Sequence, residues 1–588
     1  MRKRVQGAII STYSLFIPAP LRPGSRYSWN DFRADLIAGV TVAIIQVPQS
    51  MALALIAGLP AIFGLYASLL GFIASLWGSS RLLSTGPVAI VSVLTFTSLT
   101  PFAEPFTAEY IGFAASLALL VGTIYLLLGL FRFGFILQLV PNSVITGFTS
   151  AAAIIIIVSQ LPTFFGLPAA AHSLVLQNLY DFIFSLPNLS LIALGVGTFA
   201  AIFLAFFRRL PATFPGALII LVCGIAFGYF VSTFSDTNLP LVGAIPHGIP
   251  DFILPPLNTA TLFLLFPKAA IIAIVGFVGA HATAKNVALK TREQLNTDQE
   301  LVGQGLANIA TSFFQGFPVS GSFTRTTINV DAGARSSIAS VIGVFVTILT
   351  LLFFTPLFSF LPRSILAAIV IVSAIPVINF ARLRHMTDIS RTDGLVAVLT
   401  LILALFLTPD DAIFLGVVSA LMVFIWQTTS ASRVSEMGIN PEWNILRGVH
   451  TDDTARTFSG TVIAYIGISM YYANAEHLLS HAYELVENRM EQTGETVHTL
   501  VLDLSGVHFM DISALEAFST FVDRMREKNI QIGVIYLRAP VRARLEKMRL
   551  SARIIIFHNI MELRRVCKSP HHTPTGKTIP EYLEAAQE

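Results

Sequence analysis

The stretch Leu82–Ser92 reads LLSTGPVAIVS, and the stretch Gly316–Val330 reads GFPVSGSFTRTTINV. Both are too polar and too short to cross a bilayer as a helix, which takes about 20 apolar residues. Each predicts a short extended segment, a turn at Gly or Ser, and then a half-helix. Two interrupted segments at matching positions in the two halves of a chain are typical of an inverted repeat with a binding site at mid-membrane.

Apolar segments surround these two stretches in two sets of seven. Of the 588 residues, 54% are hydrophobic and only 12% are charged, whereas a soluble protein carries about 25% charged residues. The interrupted stretches are third in each set, and the sequence predicts a polytopic α-helical membrane protein of about fourteen spans in a 7+7 inverted repeat. The predicted segments are centred near Val42, Leu69, Val91, Ala118, Ile155, Thr198, Leu221, Ile274, Ala307, Ile328, Val346, Ile369, Leu399 and Val418.

The charges between the segments predict the orientation, because Lys and Arg are concentrated in cytoplasmic loops. Met1–Arg4 is basic and no cleavable signal follows it, so we expect the N-terminus inside. The inner loops then hold Arg81, Arg132, Arg208, Arg209, Lys285, Lys290, Arg292, Arg335, Arg382, Arg384, Arg391 and Arg433. The outer loops hold Lys268 and Arg363 at span edges, with Glu104, Glu109, Asp181, Asp236, Asp410 and Asp411.

The character of the chain changes after Trp426, where charged residues become frequent. Alternating strand and helix patterns predict strands over 461–468, 498–507, 530–537 and 554–558, with helices between them and a last helix at the end. About 110 residues suffice for one small α/β domain. We predict a cytoplasmic N-terminal segment (1–30), a transport domain (31–431), a polar linker (432–456), a cytoplasmic α/β domain (457–568) and a disordered tail (569–588).

Three blocks of the membrane part resemble the SulP (sulfate permease) family. The first is DLIAGVTVAIIQVPQSMALALIAGLPAIFGLYASL (Asp35–Leu69), and the others are Gly78–Ser92 and Gln299–Ser336. The C-terminal part resembles a STAS domain, whose hallmark strand–loop–helix reads LVLDLSGVHFMDISALEAF (Leu500–Phe518). The resemblance covers nearly the whole chain and implies an anion transporter of elevator type that forms a dimer, with a regulatory STAS domain.

The resemblance also implies where the anion binds, between the two half-helices and beside the first and eighth spans. An anion that leaves water needs replacement hydrogen-bond donors, and Gln49, Thr324 and the backbone N–H groups near Val88 and Phe323 supply them. The positive ends of two helix dipoles add to them. The matching positions are Gln49, Leu53, Gly86, Val88, Phe323, Thr324 and Arg325.

Arg325 is the residue on which this prediction depends most. An arginine inside the membrane costs at least ~2.5–3.5 kcal/mol, and the sequence places no other Lys or Arg well inside a span. No Asp or Glu within a span is evident as its partner. The alternatives are that Arg325 braces the fold through a carboxylate or a carbonyl group, and that Gln49 makes a helix–helix hydrogen bond.

One position departs from the family pattern. Many members carry a carboxylate at the first position of E-x-x-x-x-A-K on the eighth span, where this chain has Gly279. Proton-coupled members are thought to use this Glu, and sodium-coupled bicarbonate members an Asp. The remaining coupling candidates are His281, which lies about 200° around the helix from Gly279, and Thr283, a lone hydroxyl. The missing charge therefore favours anion exchange or facilitated transport.

Several functional alternatives stay open at this point. Sulfate is the first substrate hypothesis, and bicarbonate, chloride or a dicarboxylate remain. The other readings are a proton-coupled sulfate symporter, a nucleobase carrier of the same fold, and a membrane-tethered regulator with the STAS domain as its output. We expect no enzyme activity, because no nucleotide-binding motif, metal cluster or paired catalytic carboxylates are evident.

The expected partners follow from the same reasoning: a small anion, the lipid bilayer, a second copy of the chain and a cytoplasmic regulator of the STAS domain, but no nucleic acid and no cofactor. We expect no disulfide or metal site at Cys223 and Cys567, which lie far apart. In bacterial STAS proteins, a Ser at the start of the helix after D-x-S is phosphorylated, and Ser513 has that place. The alternative is that Asp511 or Ser513 only caps the helix.

Overall fold

The computed structural model describes residues 27–135, 141–168, 174–207, 216–234, 239–243, 248–256, 258–430, 434–440, 442 and 445–568. They form two compact units, one up to Ala420 and one from Leu421 onward. Most of the predicted N-terminal segment, the predicted disordered tail, and Arg208, Arg209, Asp236 and Arg433 lie outside the described residues.

The first unit is almost entirely helical, as predicted. All fourteen predicted segment centres lie within helices, and the two interrupted stretches are helices of 11 and 9 residues. Its helices are α1 (Trp29–Ile56), α2 (Ile62–Leu69), α3 (Phe72–Trp77), α4 (Ala89–Leu99), α5 (Ala108–Leu130), α6 (Asn142–Phe164), α7 (Val175–Ser185), α8 (Leu191–Phe207), α9 (Gly216–Phe234), α10 (Thr259–Thr291), α11 (Thr297–Phe313), α12 (Phe323–Asp331), α13 (Ile338–Phe353), α14 (Thr355–Phe358), α15 (Arg363–Ala374), α16 (Phe380–Ile389), α17 (Arg391–Phe406) and α18 (Pro409–Ser430).

Six helices in the described part of the chain are long and apolar enough to cross a membrane. They begin at Trp29, Ala108, Asn142, Gly216, Thr261 and Arg363, the last of these continuing to Ile389. Shorter apolar helices, among them α4, α8 and α13, supply the rest of the apolar bundle. A short helix is stable in an apolar environment only if its free backbone groups find partners inside the protein.

The helices pack in two groups, each drawn from both halves of the chain. In one group α5 packs against α10 and α11, α11 against α3, and α13 against α1. In the other, α6 packs against α15 and α17, and α8 against α15. Contacts between the groups are fewer and involve mainly α1 and α4. The first group contains both half-helices, α4 and α12.

The second unit is an α/β domain, as predicted. Strands β1 (Thr85–Gly86) and β2 (Ser320–Gly321) belong to the first unit. The strands of the second unit are β3 (Val434–Asn440), β4 (Ile445–Gly448), β5 (Thr461–Ile466), β6 (Thr499–Asp503), β7 (Gln531–Ile535) and β8 (Ile555–Phe557). They form a six-stranded sheet with the order β4-β3-β5-β6-β7-β8, in which β5 to β8 are parallel. The helices are α19 (Ala475–Thr493), α20 (Ile512–Glu527), α21 (Ala539–Lys547) and α22 (Ile560–Lys568).

Strands β3 and β4 lie in the segment that the sequence analysis treats as a polar linker. They form an antiparallel pair, and β3 also pairs antiparallel with β5. The apolar–polar alternation is weak there: in β4 it reduces to half-exposed and exposed side chains, so the periodicity that reveals a half-buried strand is absent. The segment predicted as a linker without secondary structure therefore contains two strands of the sheet.

Candidate anion site

The site is built around two short strands where the halves of the chain meet. Strand β1 (Thr85–Gly86) pairs antiparallel with β2 (Ser320–Gly321), with Thr85 opposite Gly321. The Ser322 N–H also donates to the Ser84 carbonyl oxygen at 2.9 Å. Because α4 begins just after β1 and α12 just after β2, this pairing brings the N-termini of both half-helices together.

The two helix N-termini differ in how they are capped. Ser322 caps α12, and its hydroxyl accepts a hydrogen bond from the Arg325 N–H at 3.4 Å. The N-cap of α4 is Val88, whose side chain cannot accept one. The N–H groups of the first helical turn have no partner within the helix. The N-terminus of α4 therefore offers free donors and a positive dipole end to a ligand.

Arg325 is fully buried behind the strand crossing. Its Nη1 donates to the Pro87 carbonyl oxygen at 2.8 Å, while Nε and Nη2 have no hydrogen-bond partner in the part of the chain that the structure describes. No carboxylate pairs with it among the described residues. A buried charge without a partner is costly, so this guanidinium holds an uncompensated positive charge between the half-helices. It braces the crossing through a carbonyl group, which is one of the two alternatives that the sequence leaves open.

Gly86 makes room for this guanidinium. An ideal Cβ on Gly86 would lie 3.1 Å from Arg325 Nη2 and 3.7 Å from its central carbon. The same position would lie 3.8 Å from Nε2 of Gln46. A side chain at position 86 would therefore press against the charged group, and glycine leaves the guanidinium the space it occupies.

The residues next to Arg325 face outward. Phe323 is 59% exposed, Thr324 is also exposed, and Val88 at the start of α4 is half-buried. An anion that approaches the crossing from outside the protein can thus reach Phe323, Thr324 and the α4 N-terminus directly. Arg325 is buried behind them, which the sequence alone did not show.

Helix α1 carries Gln49 and Leu53, the two positions at which the family resemblance predicts contact with the anion. Helix α1 packs against both α4 and α12. Gln49 is half-buried and its Oε1 has no hydrogen-bond partner within the described ranges, while Leu53 is buried. Gln46, one turn earlier on α1, is 7% exposed and lies close to Gly86 and Arg325, and no sequence pattern marks it.

Helix α10 lies against β2 and carries the Gly279 position. The Ser320 hydroxyl donates to the Gly276 carbonyl oxygen at 2.7 Å, and Ala280 lies 3.0 Å from an ideal Cβ on Gly321. Gly279 itself is exposed, with no atom within 4 Å of its ideal Cβ position. The family's carboxylate position is therefore an open space beside the crossing.

The two coupling candidates on α10 are placed differently. The Thr283 hydroxyl donates to the Gly279 carbonyl oxygen at 2.8 Å. His281 is half-buried and stacks on Phe277 at a ring distance of 5.7 Å, and its Nδ1 has no partner. These contacts support packing roles for both side chains.

Helix α11 supports the crossing with a row of polar side chains at four-residue spacing, which puts them on one face. Glu300 is fully buried and accepts N–H bonds from Ser79 and Ser80, each at 2.9 Å. Gln304 donates to Thr85 Oγ1 at 2.9 Å. Asn308 exchanges two hydrogen bonds with the Val319 backbone. The buried carboxylate Glu300 was not found in the sequence, since it lies near the polar start of its helix.

In the second unit, Asp511 caps α20. Its Oδ1 accepts from the Ala514 N–H at 2.8 Å, and its Oδ2 accepts from the Tyr472 N–H at 2.9 Å. Ser513 is exposed on the first turn of α20. Asp511 therefore has the capping role, and the Ser513 hydroxyl is reachable from solvent.

These features define a membrane anion transporter with an inverted repeat and a C-terminal α/β domain. The chain belongs to the sulfate permease family, whose model matches residues 32–400, and a STAS domain model matches residues 454–563. The family resemblance in the sequence is thereby confirmed.

Individual relatives agree with this assignment. The chain is 32% identical to sulfate transporter 4.1, chloroplastic, of Arabidopsis thaliana over 526 residues, which is 86% of this chain and 76% of that protein. The solved structure of SLC26A9 matches with a TM-score of 0.86 at 23% identity, over 96% of this chain and 94% of that chain. The transmembrane domain of a cyanobacterium bicarbonate transporter, BicA, matches with a TM-score of 0.57 at 24% identity, over 67% of this chain and 98% of that one. The two structures show the fold.

Proposed function

We propose that this protein carries small inorganic anions across the membrane by exchange or facilitated transport, with sulfate as the first substrate to test. The observation that supports it most is the buried Arg325 without a carboxylate partner, next to the uncapped N-terminus of α4. A positive charge and free N–H groups at mid-membrane suit an anion that has lost its water. The relative named as a sulfate transporter supports sulfate over bicarbonate.

The proposed binding residues divide by role. The Thr324 hydroxyl, the Gln49 amide and the N–H groups at the starts of α4 and α12 donate to the anion. Arg325 supplies charge from behind the crossing, where low polarity makes a unit charge act over several ångströms. Leu53 and Phe323 exclude water from the bound anion, which strengthens each of these interactions.

The proposed movement is of elevator type. The group that contains α1–α5 and α10–α13 carries every proposed binding residue, and its contacts with the other group are fewer than those within it. When one rigid helix group carries the whole site, it can move past the other helix group while the geometry of the site stays the same. The polar row of α11 keeps β1 and β2 in place during such a movement.

The proposed coupling follows from Gly279. With no carboxylate at this position, protonation of a side chain there cannot accompany anion binding. The half-buried His281 lies against Phe277 instead of facing this space. We therefore propose that the counter-ion is a second anion on the return step, not a proton on the same step.

The proposed setting is the plasma membrane, with both termini in the cytoplasm, supported by the Lys and Arg of the expected inner loops. We propose that the protein works as a homodimer and that a cytoplasmic partner binds the STAS domain. The exposed Ser513 is the proposed modification site of this domain. Phosphorylation would add charge at the start of α20, where a helix favours it.

The substrate test is uptake of labelled sulfate into proteoliposomes, with bicarbonate, chloride or succinate as competitors. We expect saturable sulfate uptake that Thr324→Ala and Gln49→Leu weaken about tenfold, since each loses one hydrogen bond to a charged group. Saturable uptake of another anion without uptake of sulfate would show that one of the competitors is the substrate. Retained binding without any flux would instead indicate a sensor and contradict the transport proposal.

A further inference from the structure

A narrow polar crevice lies within the first helix group, beside Gln46 and apart from the residues proposed to bind the transported anion. Helix α1 borders it with Val42 and Gln46, and α13 borders it with Ser340 and Gly343. Ser84, Thr85 and Asn329 add further polar groups. Gln49 and Leu53 do not line it, although they follow Gln46 on the same helix.

The end of this crevice at Gln46 and Thr85 carries hydrogen-bond donors. The Gln46 side chain has no hydrogen-bond partner among the residues that the structure describes. Thr85 Oγ1 accepts from Gln304 Nε2 at 2.9 Å. A hydroxyl that accepts one bond still has its own proton to donate. Both donors therefore remain available inside the crevice.

The charge of Arg325 lies directly behind these donors. Its Nη2 and the Gln46 Nε2 both lie within 4 Å of the ideal Cβ position of Gly86, at 3.1 and 3.8 Å. Among the described residues, Nη2 is buried and has no partner, and no Asp or Glu of that part of the chain lines the crevice. A neutral water could satisfy the donors, but only an anion could also offset the buried positive charge.

The volume of the crevice limits the size of an occupant, since it holds about one or two water-sized molecules. A halide ion is only slightly larger than a water molecule, whereas a sulfate ion with four oxygens is much larger. We propose that the crevice is a second anion site, selective for a monovalent halide such as chloride, formed by Gln46 and Thr85 in the field of Arg325. Its hydrogen-bond donors are different from those proposed for the transported anion, and the two sites share only the charge of Arg325.

The test measures equilibrium binding of labelled chloride to the purified full-length protein, with and without saturating sulfate. In the wild type, we expect one chloride that sulfate does not displace. Gln46→Leu should weaken this chloride at least about tenfold, the cost of one hydrogen bond to a charged group. Gln49→Leu is the matched control, one turn along the same helix, and should leave this chloride unchanged. Thermal unfolding in a chloride-free buffer shows that both variants are folded.

The outcomes separate this proposal from the proposed function. If sulfate displaces all bound chloride, or if Gln46→Leu binds chloride as the wild type does, the second site does not exist. If sulfate neither binds nor competes, sulfate is not the substrate, yet a chloride lost in Gln46→Leu and kept in Gln49→Leu still supports the second site. A structure in bromide should place the halide between Gln46 and Thr85, and an occupied position elsewhere would contradict the assignment.

Discussion

The Arg325 guanidinium donates a 2.8 Å hydrogen bond to the carbonyl oxygen of Pro87, 238 residues earlier in the chain. This bond joins the two half-helices at the point where β1 and β2 cross. One arginine therefore holds the crossing together, and in the proposed function it has a second task, to supply the positive charge behind the anion site. The predictions below separate these tasks.

The first prediction concerns the charge at position 325. Arg325→Lys keeps the charge but loses the planar group that reaches Pro87, whereas Arg325→Ala loses both. We expect Arg325→Ala to weaken anion binding by about 1.5–3 kcal/mol, or about 10–150-fold, and Arg325→Lys to weaken it less. The check is the concentration dependence of uptake in proteoliposomes with equal amounts of folded protein. Wild-type affinity in Arg325→Ala would show that Arg325 does not contribute to anion binding.

The second prediction concerns the space at Gly86. A methyl group there would lie 3.1 Å from Nη2 of Arg325, and such overpacking costs about 1–3 kcal/mol. We expect Gly86→Ala to lower thermal stability and to weaken anion binding. Gly279→Ala is the control, because no atom lies within 4 Å of its ideal Cβ. Equal behaviour of the two variants would show that the approach of Gly86 to the guanidinium does not matter.

The third prediction restores a carboxylate to the eighth span. Gly279 is exposed and has space for a side chain, so Gly279→Glu should fold. Its negative charge should repel the anion at neutral pH, and protonation should relieve the repulsion. We therefore expect uptake by Gly279→Glu to increase as the pH falls.

Gly279→Gln is the matched control for this variant, because it has the same shape without a titratable group. Its uptake should follow the wild-type pH profile. If Gly279→Glu and Gly279→Gln show the same profile, position 279 does not communicate with the bound anion.

A fourth prediction concerns Glu300, which holds two backbone N–H groups of the loop before β1. Glu300→Ala leaves both buried donors without a partner, which costs about 1–3 kcal/mol for each unsatisfied group. Glu300→Gln keeps one oxygen as an acceptor, so we expect a smaller loss. Thermal unfolding in detergent measures both. A wild-type unfolding temperature in Glu300→Ala would mean that this loop does not depend on the carboxylate.

The fifth prediction is a pH effect in the STAS domain. Burial raises the pKa of Asp503 above its ordinary value of 3.8, so the native state binds a proton more tightly than the unfolded state. The stability that this proton contributes is present below the unfolded pKa and is lost as the pH rises through the native pKa. Hydrogen exchange of β6 in the full-length protein should therefore quicken, after correction for intrinsic rates, as the pH rises from 4 towards neutrality.

Asp503→Asn removes this dependence while keeping an oxygen for the Ser505 N–H, which Asp503 holds at 2.9 Å. We expect a flatter pH profile of β6 exchange in the variant. A profile with the same slope as that of the wild type would assign the effect to another group.

Much of the membrane unit could be predicted because its signals are local. The polar interruptions before Val88 and Phe323 lie within a few residues of the half-helices that they predict. The inward direction of Arg325 could not be predicted, because Arg325, Thr324 and Phe323 are consecutive and only tertiary packing decides which of them is buried. Gln46 belongs to no motif, and it lies close to Gly86, a residue distant in sequence.

The remaining differences have a similar origin. The buried carboxylate of Glu300 depends on N–H groups more than 200 residues away, so no local pattern marks it. Strands β3 and β4 have few apolar side chains. Strand β4 pairs with β3, and β3 pairs with β5, and this pairing decides their structure. In both cases the structure depends on contacts between residues distant in sequence, and patterns in a single sequence do not reveal such contacts.

The most direct test of exchange without proton coupling is labelled sulfate uptake into proteoliposomes, with a trans anion and an imposed pH gradient varied independently. We expect internal sulfate, chloride or bicarbonate to stimulate uptake, a pH gradient alone to drive no accumulation, and Arg325→Ala to abolish the stimulation. Accumulation of sulfate driven by the pH gradient alone, without a trans anion, would contradict the account and show that a group other than residue 279 couples protons to transport.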